Sequence, residues 1–157
     1  MADLLVGLYR KDYIEGKKAS EDVKIVRALS PNSDAIIAFV EKNFSKGWAS
    51  EVKAALYKPN PTCFVAFYEG KIVGFSAYDA TAKGYFGPIG VDETLRGKNI
   101  GKALLFAALE GMYHDGYGYG IIGGVNENVA PFYQKTCGAI VINLEGNVYD
   151  RFVRGLY

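Results

Sequence analysis

From Val23 onward, apolar positions fall into short blocks whose spacing alternates between that of a strand and that of a helix. Residues 24–28 read as a short strand. Pro31-Asn32-Ser33-Asp34 supply helix-start residues, and apolar side chains at 36, 37, 39, 40 and 44 suit a helix over 35–44. A break at Lys46-Gly47 precedes a second helix over 48–57, with Trp48, Val52, Ala55 and Leu56 on one stripe. Pro59 and Pro61 end it. Runs over 62–68 and 72–78 flank Glu69-Gly70-Lys71, the pattern of a β-hairpin, and a third β-rich run covers 84–91. Leu104, Leu105, Ala108, Leu109 and Met112 predict a helix over 101–114, stopped by Asp115-Gly116. The strand predicted over 117–125 alternates Tyr117, Tyr119 and Ile121 with Gly118 and Gly120, a glycine face that another element can approach closely. A helix over 129–136 and strands over 139–144 and 149–153 complete the order. Such a mixture implies an α/β (α+β mixed) fold, one sheet with helices packed on it. Residues 1–22 read as an N-terminal arm, with a short apolar run from Leu4 to Tyr9 and then a charged stretch, ahead of a domain over 23–157.

Composition narrows the function classes. A chain of 157 residues suits one domain. Its 18 Lys and Arg against 17 Asp and Glu argue against a nucleic-acid partner, which calls for a basic excess. Two cysteines and a single histidine, His114, leave too few ligands for a structural zinc site, so no metal is expected. The same counts exclude a disulfide framework and point to a reduced, cytoplasmic setting. No run approaches a membrane span, so no membrane partner is expected, and the acidic residue at Asp3 makes the N-terminus a poor signal peptide. Without a Gly-x-Ser-x-Gly elbow, a serine hydrolase is disfavoured.

The chemistry concentrates in the segment from Gly90 to Lys102, which joins a strand to a helix. Small residues there uncover backbone N–H groups at a helix N-terminus, where the dipole favours an anion. Arg96, Lys98 and Lys102 add positive charge, and Asn99 tolerates a left-handed backbone. The spacing is not that of a Walker loop: Arg96 stands where the first Gly belongs and Ala103 where the magnesium-binding hydroxyl belongs. Nor does a dinucleotide fingerprint fit, since no third Gly follows Gly97 and Gly101 at the required spacing. In the preceding strand, Gly87-Pro88-Ile89-Gly90 predicts a bulge, or a place where a neighbouring strand peels away. A slot of that kind suits a ligand with phosphates for the helix N-terminus and an amide-bearing arm for the open strand.

Arg96-Gly97-Lys98-Asn99-Ile100-Gly101 resembles the acyl-CoA-binding motif of the GCN5-related N-acetyltransferase (GNAT) family, with Asn99 in place of the first motif glycine. A second family motif, Asn, six residues, then Tyr, is matched by Asn126 and Tyr133. The resemblance implies the GNAT fold, a central mixed, splayed sheet flanked by helices on both faces. It implies acetyl-CoA as co-substrate, held by Ile89, Val91, Arg96, Gly97, Lys98, Asn99, Ile100, Gly101, Lys102, Asn126 and Tyr133. Asn126 would touch the pantetheine arm. Tyr133 would be the catalytic acid at the sulfur, and a backbone N–H near Val91 would receive the oxyanion. The implied reaction is direct acetyl transfer to a primary amine of a small molecule. A protein N-terminus, or a non-catalytic acyl-CoA-binding sensor or interaction module, is the alternative. A homodimer is compatible with the resemblance.

Trp48-x-x-Glu51 and Phe86-Gly87-Pro88-x-Gly-Val resemble a bacterial subgroup that includes glucosamine and glucosaminide acetyltransferases. Trp48 and Glu51, three apart and so neighbours on a helix surface, and Asp79 are the acceptor-binding candidates, though Trp48 also lies on the apolar stripe of its helix. The strand over 84–91 carries no acid, which leaves Glu51, Asp79, Asp92, Glu93 or a water chain as the general base. Cys137 reads as a packing residue and His114 as a cation at a helix C-terminus.

Overall fold

The computed structural model describes residues 1–10, 12, 19–153 and 156. Seven strands, β1 (Ala2–Gly7), β2 (Val23–Arg27), β3 (Cys63–Tyr68), β4 (Lys71–Tyr78), β5 (Tyr85–Val91), β6 (Tyr119–Val125) and β7 (Ile140–Ile142), form one open sheet in the order β2-β3-β4-β5-β6-β1-β7. Every neighbouring pair is antiparallel except β5 and β6. Four helices are described: α1 (Ser33–Asn43), α2 (Lys46–Leu56), α3 (Ile100–His114) and α4 (Ala130–Cys137). Each predicted helix is present to within a few residues, because caps and breakers lie where the sequence places them. The Ser45 hydroxyl accepts the Trp48 N–H at 3.1 Å and starts α2, and Gly138 ends α4 in the left-handed conformation.

The helices cover both faces of the sheet. Ile36 and Val40 of α1 and Val52 and Leu56 of α2 pack on Val65, Phe75 and Ala77. On the other face, Leu104 of α3 meets Ala66 and Val73, while Leu105, Leu109 and Met112 meet Leu4, Val6 and Ile122. The glycine face of β6 serves this packing: a Cβ on Gly120 would lie 3.0 Å from the Met112 methyl.

Two expectations change. The apolar run at the start of the chain is no free arm. Residues Ala2–Gly7 form β1, inserted between β6 and β7, with Leu4, Val6 and Leu8 wholly buried. Residues 11 and 13–18 of the expected arm lie outside the described residues. The strand expected over 149–153 is a 3-10 turn, Val148–Arg151, closed by a reciprocal capping box between Asn147 and Asp150. Local side-chain capping of the backbone prevails there over β propensity.

The bulge at Gly87-Pro88 is present. Ser76 pairs with Ile89 and Tyr78 with Phe86, so β5 spends one residue more than β4 over that interval. Beyond it β5 leaves β6, since the two pair only at Tyr85–Ile121 and Phe86–Ile122. The Asp92 N–H donates to the Val73 C=O of β4 at 2.7 Å. Strand alternation then turns the Ile89 and Val91 N–H groups away from β4, toward the splayed side.

Candidate active site

A cavity of about 550 Å³ opens where β5 and β6 separate, a volume suited to a small organic ligand. Of the residues singled out in the sequence, Trp48, Glu51, Ile89, Val91, Arg96, Gly101, Asn126 and Tyr133 line it together. They come from helix α2, strand β5, the loop after it, the N-terminus of α3 and the segment around α4.

One end of the cavity is formed by the turn into α3. Asn99 is left-handed (φ 61°) and turns the chain into α3, whose first backbone bond closes from Ala103 to Asn99. The N–H groups of Ile100 and Gly101 therefore have no partner within the helix. A Cβ on Gly101 would meet only the Val91 side chain, at 3.8 Å, so the helix end is open on the cavity side. Arg96 lines the same end.

The two lysines of the loop are placed differently. Lys98 turns outward to Asp22 at 3.0 Å and over the Tyr68 ring at 4.9 Å, and its bond to Asp22 raises its pKa. Its carbonyl accepts the Ser20 N–H at 3.2 Å. Lys102 lies over the Phe106 ring at 5.6 Å. Neither lines the cavity. One-dimensional spacing shows that these residues are near the loop but not which way their side chains point.

Tyr133 stands on α4 and is only 6% exposed. Its ring packs edge-on against Phe86 at 6.2 Å and Phe132 at 5.2 Å. Burial, and then the neighbouring Cys137, push its pKa up to about 12, so the phenol keeps its proton at neutral pH. Cys137 itself is buried, donates to the Tyr133 carbonyl at 3.1 Å and has its thiol pushed up to about 11, as a packing residue would. Asn126 is exposed at the cavity rim, and its carbonyl accepts the N–H groups of Val129 and Ala130 at the start of α4.

The four carboxylates weighed as bases separate cleanly. Glu51 lines the cavity, accepts a hydrogen bond from the Thr81 hydroxyl, and has its pKa raised by burial, with the Thr81 bond acting the other way. Asp79 is a turn residue: its carboxylate accepts the Gly84 N–H at 2.7 Å and the Tyr117 hydroxyl at 2.9 Å, outside the cavity. Asp92 caps Thr94, which holds its pKa down, and Glu93 is exposed on the 3-10 turn before α3. His114, 3.5 Å from Glu110, borders a separate groove between α3 and β2.

Sequence reasoning passed over Thr81, Tyr85 and Tyr149, which line the cavity around Glu51. The Tyr149 ring lies on Gly124, where a Cβ would come within 2.9 Å, and Tyr85 lies on Gly123 in the same way. The paired glycines of β6 were the available signal: they mark where large side chains must cross the strand. Trp48 packs against Phe44 at 5.4 Å and Phe75 at 6.1 Å, so it is at once part of the core and a wall of the cavity.

No helix among the described residues is long and apolar enough to cross a membrane, and no cluster of metal-ligating side chains occurs among them. Among curated proteins the sequence finds no match. Solved structures share the fold. A GCN5-related N-acetyltransferase from Sphaerobacter thermophilus aligns over 90% of this chain and 48% of its own, with a TM-score of 0.67 and 20% identity. One from Kribbella flavida aligns over 89% and 53%, with a TM-score of 0.62 and 15% identity. A GCN5-related glucosamine N-acetyltransferase region of a fungal multi-domain β-N-acetylglucosaminidase aligns over 90% and 19%, with a TM-score of 0.65 and 14% identity. The chain thus spans about half the length, or less, of these structures. The sequence model of the acetyltransferase (GNAT) family matches residues 29–139, most of the chain and all of the elements from α1 to α4 that build the cavity. The protein belongs to the acetyltransferase (GNAT) family.

Proposed function

We propose that the protein transfers an acetyl group from acetyl-CoA to a primary amine of a small molecule. The observation that carries this reading is a single cavity lined by an open helix N-terminus, an open strand edge, a buried protonated phenol and one carboxylate. Acetyl-CoA supplies an activated acyl thioester. The residues fit it: the first-turn N–H groups of α3 and Arg96 suit the pyrophosphate, and Gly101 leaves room for it. The Ile89 and Val91 N–H groups offer donors to an amide-bearing arm and to a carbonyl oxygen that gains charge.

Two proton positions follow. Glu51 accepts a proton from the acceptor ammonium, which frees the nitrogen lone pair. Tyr133 gives its proton to sulfur as the carbon–sulfur bond breaks and the carbon–nitrogen bond forms, and the second proton that the nitrogen sheds on becoming an amide restores the phenol. In net terms an ammonium and a thioester give an amide, a thiol and one proton. Positioning by the rigid sheet supplies much of the acceleration.

An amino sugar meets these requirements, and the fungal neighbour's name places glucosamine among the acceptors to assay. The test is thiol release from acetyl-CoA with amino sugars, polyamines, amino acids and peptides. Amine-dependent release is expected without added metal. Binding of acetyl-CoA without release for any amine would leave a sensor, and no binding at millimolar acetyl-CoA would end the assignment.

A further inference from the structure

At the Tyr85 end of β5, the acceptor end in the proposed reaction, the walls are Tyr85 and Tyr149 with Thr81 and Glu51, while Phe44, with Trp48 against it, lies over Gly90 farther along the strand. Of all the described residues that line the cavity, only Glu51 and Arg96 carry formal charge. Arg96 lies past Val91, at the C-terminal end of β5, whereas the Tyr85 end of that strand faces Glu51 and Tyr149. Arg96 and Glu51 thus lie toward opposite ends of that strand. The cation therefore serves the anion end and not the acceptor end.

A second carboxylate stands behind the first. Asp3 of β1 accepts the Gly124 N–H at 3.0 Å, directly under the Tyr149 ring. Burial, then the charges of Glu51 and Asp3, then Tyr85, raise the pKa of the Tyr149 hydroxyl. Burial and Asp3 raise that of Tyr85, and Arg151 opposes them. Arg151 is exposed, and neither it nor Asp3 lines the cavity.

We infer that the acceptor is a primary amine that carries no carboxylate, held between the aromatic walls with its ammonium toward Glu51. A cation beside aromatic faces and one carboxylate is stabilised there. A carboxylate on the same small molecule would meet Glu51 with no counter-charge among the described residues that line this end, and it would lose its water on entry. Free α-amino acids are thereby rejected, and the amines that differ from them by loss of carbon dioxide are accepted. This specificity rests on the proposed acyl transfer.

The test uses matched pairs, tyramine with tyrosine and putrescine with ornithine. Each is titrated calorimetrically into the full chain saturated with CoA and, separately, assayed for acetylation. For at least one pair the uncarboxylated member should bind at least tenfold tighter, and Glu51→Gln should shrink that ratio by weakening the amine and admitting the acid. Equal or reversed affinity within the pairs, or binding of neither member of any pair, overturns the proposal in the wild-type protein, whatever the variant does. Selective binding without acetylation would remove the acyl-transfer reading and leave the specificity standing. Acetylation without selectivity would do the reverse.

Discussion

At the scale of single residues, the site depends on groups whose protonation is set by what surrounds them. Tyr133 keeps its proton to a pKa of about 12 because desolvation opposes the phenolate. Tyr133→Phe keeps the ring contacts with Phe86 and Phe132 and removes only the hydroxyl. Turnover should fall by about 10²–10⁴-fold, as for other general acids, while the acetyl-CoA dissociation constant stays near wild type. Stopped-flow turnover and calorimetry check the two halves. Glu51 makes the complementary case. A base must be ionised, and burial raises the Glu51 pKa, so activity should rise with pH through a limb above the usual carboxylate range. Glu51→Gln should abolish that limb in the pH profile of kcat/KM. Burial disfavours the carboxylate, so the variant should also melt no lower than wild type at neutral pH.

At the scale of elements, the turn into α3 separates two kinds of positive charge. Arg96 lines the cavity, whereas Lys98 is held by Asp22 on the outer side. Arg96→Ala should raise the acetyl-CoA dissociation constant, and Lys98→Met should leave it near wild type, because an exposed pair of that kind contributes little. Gly101→Val tests the helix end itself. The space above Gly101 is open, so the variant should fold, but the added side chain would stand over the first-turn N–H groups. It should lose the thermal shift given by acetyl-CoA. In the wild type that shift corresponds to about 2.7 kcal/mol at a ligand concentration 100 times the dissociation constant. Retention of the full shift by Gly101→Val would place the phosphates elsewhere.

At the scale of the whole molecule, β1 ties the beginning of the chain to the site. It lies between β6 and β7, and Asp3 fixes the Gly124 N–H under Tyr149. Leu4 is fully buried in the cluster that also contains Phe86 and Tyr133. Leu4→Ala should cost about 2–5 kcal/mol of stability, read from denaturant unfolding, and should weaken acetyl-CoA binding although Leu4 lines no part of the cavity.

What the sequence determined by itself was most of what is encoded in neighbours along the chain, the capping box at Asn147 and Asp150 excepted. The periods of Val52-Ala55-Leu56 and Leu104-Leu105-Ala108, the breaker at Asp115-Gly116 and the bulge at Gly87-Pro88 are local signals, and the elements follow them. The two motifs around Arg96–Gly101 and Asn126–Tyr133 marked the same cavity, because a helix N-terminus and a tyrosine after a turn are themselves local structures. Tertiary structure alone decided the rest. An apolar run such as Leu4–Leu8 says that it must be buried, not between which strands, and its partners on β6 stand more than 100 positions away. Which carboxylate faces the amine was likewise undetermined among Glu51, Asp79, Asp92 and Glu93. That depends on the direction of each side chain: Asp79 and Asp92 spend their oxygens on nearby backbone N–H groups, whereas Glu51 meets Thr81 and faces Tyr149 only after α2 has packed on the sheet.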